Sequence, residues 1–180
     1  MAIHQIQIVH DETEDRLLLR LSTTDSCEFR FWLTRRFTKR LWPMLVKMLE
    51  WDRAVTQQVD PETRHTVLDL QHEAYSQQAD FTQKFEEPAH GAPRRLLLGE
   101  APVLLATAKG TKRDGGAQTL SLHPPKGQGV DINLDTRLLH IFTRLLREQV
   151  AKTDWDVNLA LHEAIPEAAT AHEPQSRTLN

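Results

Sequence analysis

A chain of 180 residues, with 39% hydrophobic and 26% charged residues, is long enough to bury a sizeable apolar interior. A mean hydropathy of −0.49 leaves no room for a membrane span of about 20 apolar residues, so a soluble protein is expected. The single cysteine, Cys27, excludes an internal disulfide and a cysteine metal cluster.

The start of the chain carries Asp11, Glu12, Glu14 and Asp15 before the first Lys or Arg, unlike a secretory or mitochondrial targeting segment. The cytoplasm is therefore the expected compartment. Ile6 and Ile8 alternate within residues 3–9, and Leu17, Leu19 and Leu21 alternate within residues 16–21, which predicts two strands joined by the acidic turn. A third strand over 27–33 places Phe29, Phe31 and Leu33 on a core face and Arg30 and Trp32 on the other.

Thr34 occupies a helix N-cap position, and Phe37, Leu41, Met44, Leu45, Met48, Trp51 and Val55 follow at helical spacing, so a helix begins near Arg35. Trp42, Val46 and Leu49 widen its apolar arc enough to touch two layers, and Pro43 predicts a kink or restart near 39–42. Pro61 opens a connecting helix with a sparse stripe of Val67, Leu70, Ala74, Phe81 and Phe85, closed by a Pro/Gly linker over 88–93. A short strand at 96–98 and a longer one at 102–112 follow, then a turn at Asp114, Gly115 and Gly116 that implies a hairpin. Val130–Leu134 forms the next strand, Asp135 caps the next helix, and Leu138, Ile141, Phe142, Leu145, Leu146 and Val150 make its stripe.

One offset of 101 residues carries Phe29, Phe31, Leu33, Phe37, Leu41 and Leu45 onto Val130, Ile132, Leu134, Leu138, Phe142 and Leu146. Leu19 and Leu21 fall onto Leu120 and Leu122 at the same offset. The expected fold is α+β: two duplicated β-β-β-α units, antiparallel sheets each with a packed helix, related by a pseudo-twofold and joined by a connecting helix. The expected organisation is residues 1–58 for the first unit, 59–93 for the connecting helix and linker, 94–160 for the second unit and 161–180 for a flexible tail. This order of elements resembles that of the Whirly and Pur-alpha proteins, which bind single-stranded nucleic acid through repeated sheet-and-helix units. Three strands in the first unit are fewer than the four those families use.

Charge is segregated beneath a net value of −3. Residues 16–47 hold eight Lys and Arg against two acids, and residues 94–147 hold nine against four, while the intervening and terminal stretches are acidic. Polyanion binding follows local cation density rather than net charge, because each neutralised phosphate releases counterions. Arg16, Leu18, Arg20, Arg30 and Trp32 share the sheet face opposite the core, as a stacking platform for unpaired bases would require. Arg35, Arg36, Lys39 and Arg40 add cations at the helix start, where backbone donors favour anions. The same Trp and Arg composition also marks protein interfaces, so a protein partner or homo-oligomer is the alternative.

His65, Asp69, His72 and Glu73 share one helical face and could hold a divalent metal, although a polar outer face is the simpler reading. No phosphate loop, dinucleotide fingerprint, nucleophile elbow or His-Glu-x-x-His motif occurs. The expectation is therefore a non-enzymatic binding module with no cofactor and no metal.

Overall fold

The computed structural model describes residues 3–79, 85, 94–113 and 117–162. The described residues form a mixed α+β arrangement of two sheets and four helices. The expected linker over 88–93, the turn at 114–116 and the tail from 163 onward lie outside the described residues.

The first sheet begins with β1 (Ile3–Asp11), β2 (Arg16–Thr23) and β3 (Cys27–Leu33), paired antiparallel in chain order. The turn between β1 and β2 closes because the Asp11 carboxylate accepts the backbone N–H groups of Thr13 and Glu14 at 3.0 Å, satisfying donors the turn leaves unpaired. Alternation buries Leu17, Leu19 and Leu21 completely, each contributing about 2 kcal/mol relative to exposure. Phe29, Phe31 and Leu33 continue that layer on β3.

Thr34 then caps α1 (Arg35–Leu49), its hydroxyl accepting Phe37 N–H at 3.2 Å. The helix runs through Pro43 as one element. A single turn, α2 (Arg53–Thr56), leads to α3 (Pro61–Gln78), capped by the Asp60 carboxylate on Thr63 N–H at 2.7 Å.

The sequence stripe misplaces the buried face of α3. Leu70 is 65% exposed and Ala74 is also in solvent, whereas Leu68, His72 and Ser76 are buried. The helix ends at Gln78, so Phe85 lies beyond it. Its inward face is polar because it packs on a polar strip of α4, and a search for apolar periodicity selects the wrong side.

Two strands expected in the second unit sit instead on the first sheet. β4 (Arg95–Leu96) and β5 (Val103–Leu104) both pair parallel with β3. At Leu105 the chain changes sheets: Leu105 N–H donates to Trp32 O at 3.0 Å, and Ala106 N–H donates to His123 O at 2.9 Å. The single long strand expected over 102–112 is thus divided, and its second part is β6 (Thr107–Lys112). β6, β7 (Gln118–His123) and β8 (Val130–Leu134) form the three-stranded second sheet, followed by α4 (Thr136–Val150).

Pairs Leu19 with Phe31 and Leu21 with Phe29 on the first sheet correspond by the 101-residue offset to Leu120 with Ile132 and Leu122 with Val130 on the second. The same offset carries α1 onto α4 residue for residue, with Asp135 in the capping role of Thr34. Each helix reaches the other sheet's outer strand rather than resting on its own sheet alone. α1 packs on β6 and α4 packs on β1, and the two helices also touch each other. Gly110 of β6 is where α1 comes closest: a Cβ there would stand 2.7 Å from Met48 Sδ, so no larger residue fits without repacking. His10 N–H of β1 donates to Gln149 Oε1 of α4 at 3.2 Å.

Residues after α4 complete the interior. Trp155, Leu159 and Leu161 are buried, Trp155 Nε1 donates to the Asp15 carboxylate, and Trp42 Nε1 of α1 donates to Ala160 O at 2.7 Å. Among the described residues no helix is long and apolar enough to cross a membrane.

Candidate functional site

Strand pairing brings the sheet residues of the sequence-derived site together on the face opposite the core. Leu18 pairs with Trp32 and Arg20 pairs with Arg30. Pairing with β1 and β5 extends the first of these into a row across four strands, Val9–Leu18–Trp32–Leu104. Val9 is 42% and Leu104 39% exposed, with Leu18 and Trp32 half-buried between them. The row thus sets four apolar side chains side by side across the sheet, exposed at its two ends and half-buried in the middle.

Arginines flank the row. Arg16 lies on one side and forms an ion pair with Glu14 at 3.3 Å. On the other side Glu28, 3% exposed, gathers three guanidinium groups: Arg20 Nε at 2.9 Å, Arg30 Nε at 2.7 Å and Arg94 Nη1 at 3.3 Å. Burial pushes the Glu28 carboxyl toward its neutral form, but the hydrogen bonds from Arg20 and Arg30 outweigh it and hold its pKa below the usual carboxylate value. One buried carboxylate therefore holds three guanidinium groups in place. The Phe85 ring lies against Arg20 Cζ at 4.1 Å and Arg94 Cζ at 4.7 Å, showing that these guanidinium planes accept an aromatic face.

Arg35, Arg36, Lys39 and Arg40 are all exposed on the solvent side of α1. Among the described residues none of the four takes part in an ion pair. They continue the chain directly from Trp32 and Leu33.

The second sheet is different at the equivalent positions. Thr119 and Asn133 pair where Leu18 and Trp32 pair in the first sheet, and Ser121 and Asp131 stand where Arg20 and Arg30 do. Its outer face is knit by short polar contacts, Arg113 Nε to Thr119 Oγ1 at 2.8 Å and Thr119 Oγ1 to Asn133 Oδ1 at 3.1 Å. The aromatic and arginine surface is thus confined to one sheet.

Sequence reasoning missed Glu28 as the anchor, together with Arg94, Phe85, Val9 and Leu104. Val9 could have been found, since it falls on the face opposite Ile6 and Ile8. Arg94 and Leu104 reach the face through parallel pairing of short segments, for which alternation carries no signal.

His65, Asp69, His72 and Glu73 do not converge on a common point. His65 stacks on His162 with centroids 4.7 Å apart, and Asp69 lies 3.7 Å from His162 Nδ1. His72 turns inward, its Nδ1 3.1 Å from His140 Nδ1 of α4, and Tyr75 stacks on the His140 ring. Among the described residues no group of three or more His, Cys, Asp and Glu is placed to hold a metal. Burial lowers the His72 pKa; burial and then the nearby His72 push His140 down to about 4, against the opposing pull of Asp52.

Comparison with known protein families, curated proteins and solved structures returns no match to this chain.

Proposed function

We propose that the chain is a non-enzymatic binding module whose ligand is single-stranded nucleic acid or a similar polyanion, held on the outer face of the first sheet. The supporting observation is the half-exposed Trp32, set in an apolar row and flanked by Arg16, Arg20 and Arg30. Stacking of one base on such an aromatic is worth about 1–3 kcal/mol and tolerates any sequence, because every base has a π face. Arg30 and Arg16 supply phosphate contacts beside the ring, and Arg35, Arg36, Lys39 and Arg40 extend the cationic path onto α1. Absence of the same groups from the second sheet makes the module one-sided. The two halves are read as copies of one ancestral unit, supported by the shared register and caps, in which the first copy keeps the ligand face.

Fluorescence anisotropy with labelled single-stranded oligonucleotides at low and moderate salt tests this reading. Binding that weakens steeply with salt is expected, and no binding at low salt would end it.

The row Val9–Leu18–Trp32–Leu104 favours a second reading, a protein contact or self-association through the same face, since apolar side chains in series suit a protein surface. Native mass measurement separates the two: a monomeric wild type argues against self-association.

A further inference from the structure

A groove of about 400 Å³ runs between α3 and α4, on elements distinct from the sheet face, lined by His72, Glu73, Ser76, Arg144, Arg147 and Glu148. Two polar residues that line it are more than nine-tenths buried, His72 at 8% and Ser76 at 3% exposure. The Ser76 hydroxyl has no hydrogen-bond partner among the described residues, which costs about 1–3 kcal/mol for a buried polar group unless something fills the position.

The histidine pair sets the polarity of this surface. His140 Nε2 is buried and also lacks a partner. An unpaired acceptor is tolerated better than an unpaired N–H, so the shared proton belongs on His140 Nδ1, donating to His72 Nδ1. That tautomer gives His72 an Nε2–H. The groups left to a ligand are then donors: His72 Nε2–H, the Ser76 hydroxyl and the Arg147 guanidinium. Of the two acids in the groove, Glu148 is paired with Arg144 Nε at 2.7 Å, and Glu73 accepts from the Gln77 amide at 2.6 Å while keeping its charge, which Arg147 has to outweigh. Arg147 is exposed and forms no ion pair among the described residues.

We propose that the α3–α4 groove is a binding site for a small oxyanion, phosphate or carboxylate, taken by Arg147, Ser76 and His72. Charge-assisted hydrogen bonds from a guanidinium, with neutral donors on the buried floor, are how proteins hold such groups. The site is independent of the nucleic-acid reading.

Inorganic phosphate and acetate, each titrated at constant ionic strength with chloride as the balancing salt, are followed through the His72 ring and Ser76 amide signals by NMR. At least one anion is expected to move both signals saturably. Arg147→Ala should weaken that binding about tenfold or more, the loss of one charge-assisted contact. Lys47→Ala, a cation on α1 away from the groove, should leave it unchanged. Ser76→Ala removes a buried hydroxyl without opening a large cavity, so its fold is retained while its affinity falls. No saturable shift by roughly 20 mM of either anion, or equal affinity in wild type and Arg147→Ala, would overturn the proposal.

Discussion

His72 Nδ1 and His140 Nδ1 face each other at 3.1 Å across the contact between α3 and α4, and a pair this close and this buried holds together while both rings are neutral. Burial depresses both pKa values, His140 to about 4 against an ordinary 6.5. A depressed group adds stability that is fully present above the unfolded pKa and is lost as pH falls toward the folded one. For His140 the window therefore runs from about pH 6.5 down to about pH 4, and the loss by pH 5 is about 2 kcal/mol. Urea denaturation at pH 7 and pH 5 should show this decline in wild type and a flatter dependence in His140→Phe. Identical pH profiles in the two proteins would remove the pair from the account.

Glu28 holds three arginines that would otherwise repel one another. Glu28→Ala leaves Arg20, Arg30 and Arg94 without their shared partner and should destabilise the fold by about 3 kcal/mol, read as a lowered thermal midpoint. The depressed Glu28 pKa carries its own sign: its contribution is present above the ordinary carboxylate value and is lost as pH falls through the lower folded value. The wild-type advantage over Glu28→Ala should accordingly narrow in strong acid.

Gly110 and Met48 set the distance between α1 and the second sheet. A Cβ at 110 would lie 2.7 Å from Sδ and 2.9 Å from Cγ of a fully buried methionine, so Gly110→Ala should cost about 1–3 kcal/mol by overpacking. Met48→Ala alone should cost about 2–5 kcal/mol through the cavity it leaves. In the double variant the new methyl group enters part of that space, and denaturation should show a total smaller than the sum of the two. Strict additivity would mean that the two residues are not in contact.

Thr34 and Asp135 cap α1 and α4 through the same backbone position three residues on. Thr34→Ala and Asp135→Ala should each lower stability by about 1 kcal/mol, measured by chemical denaturation. A loss in one protein and none in the other would show that the two helix starts are not equivalent.

The sequence carried the most information where burial is one-sided. In β2, β3 and α1, and again in β7 and β8, one apolar face repeats with strand or helix period, and those elements lie where the period places them. In α4 the buried face is turned, with Leu139, Phe142, Thr143 and Leu146 inside and Leu138, Ile141 and Leu145 only half-buried. Leu18, Trp32, Arg20 and Arg30 were legible as one face because antiparallel neighbours in chain order fix their register. α3 was legible as a helix but its orientation was not, since it buries His72 and Ser76 while Leu70 faces water. β4 and β5 were not legible as part of the first sheet: each pairs through two residues, parallel to a strand far away in the chain, and such pairing leaves no periodic trace. The exchange of helices between sheets was equally hidden, because an apolar stripe records that a helix is buried and not by which partner.

Trp32 and Asn133 occupy equivalent register positions on the two sheets, and the proposed function assigns a ligand to the first alone. Anisotropy of a labelled single-stranded oligonucleotide with wild type, Trp32→Ala and Asn133→Ala tests that assignment. The expected result is a loss of about tenfold in affinity for Trp32→Ala, the stacking of one base, with Asn133→Ala equal to wild type. Unchanged affinity in Trp32→Ala, or the same loss in both variants, would contradict it.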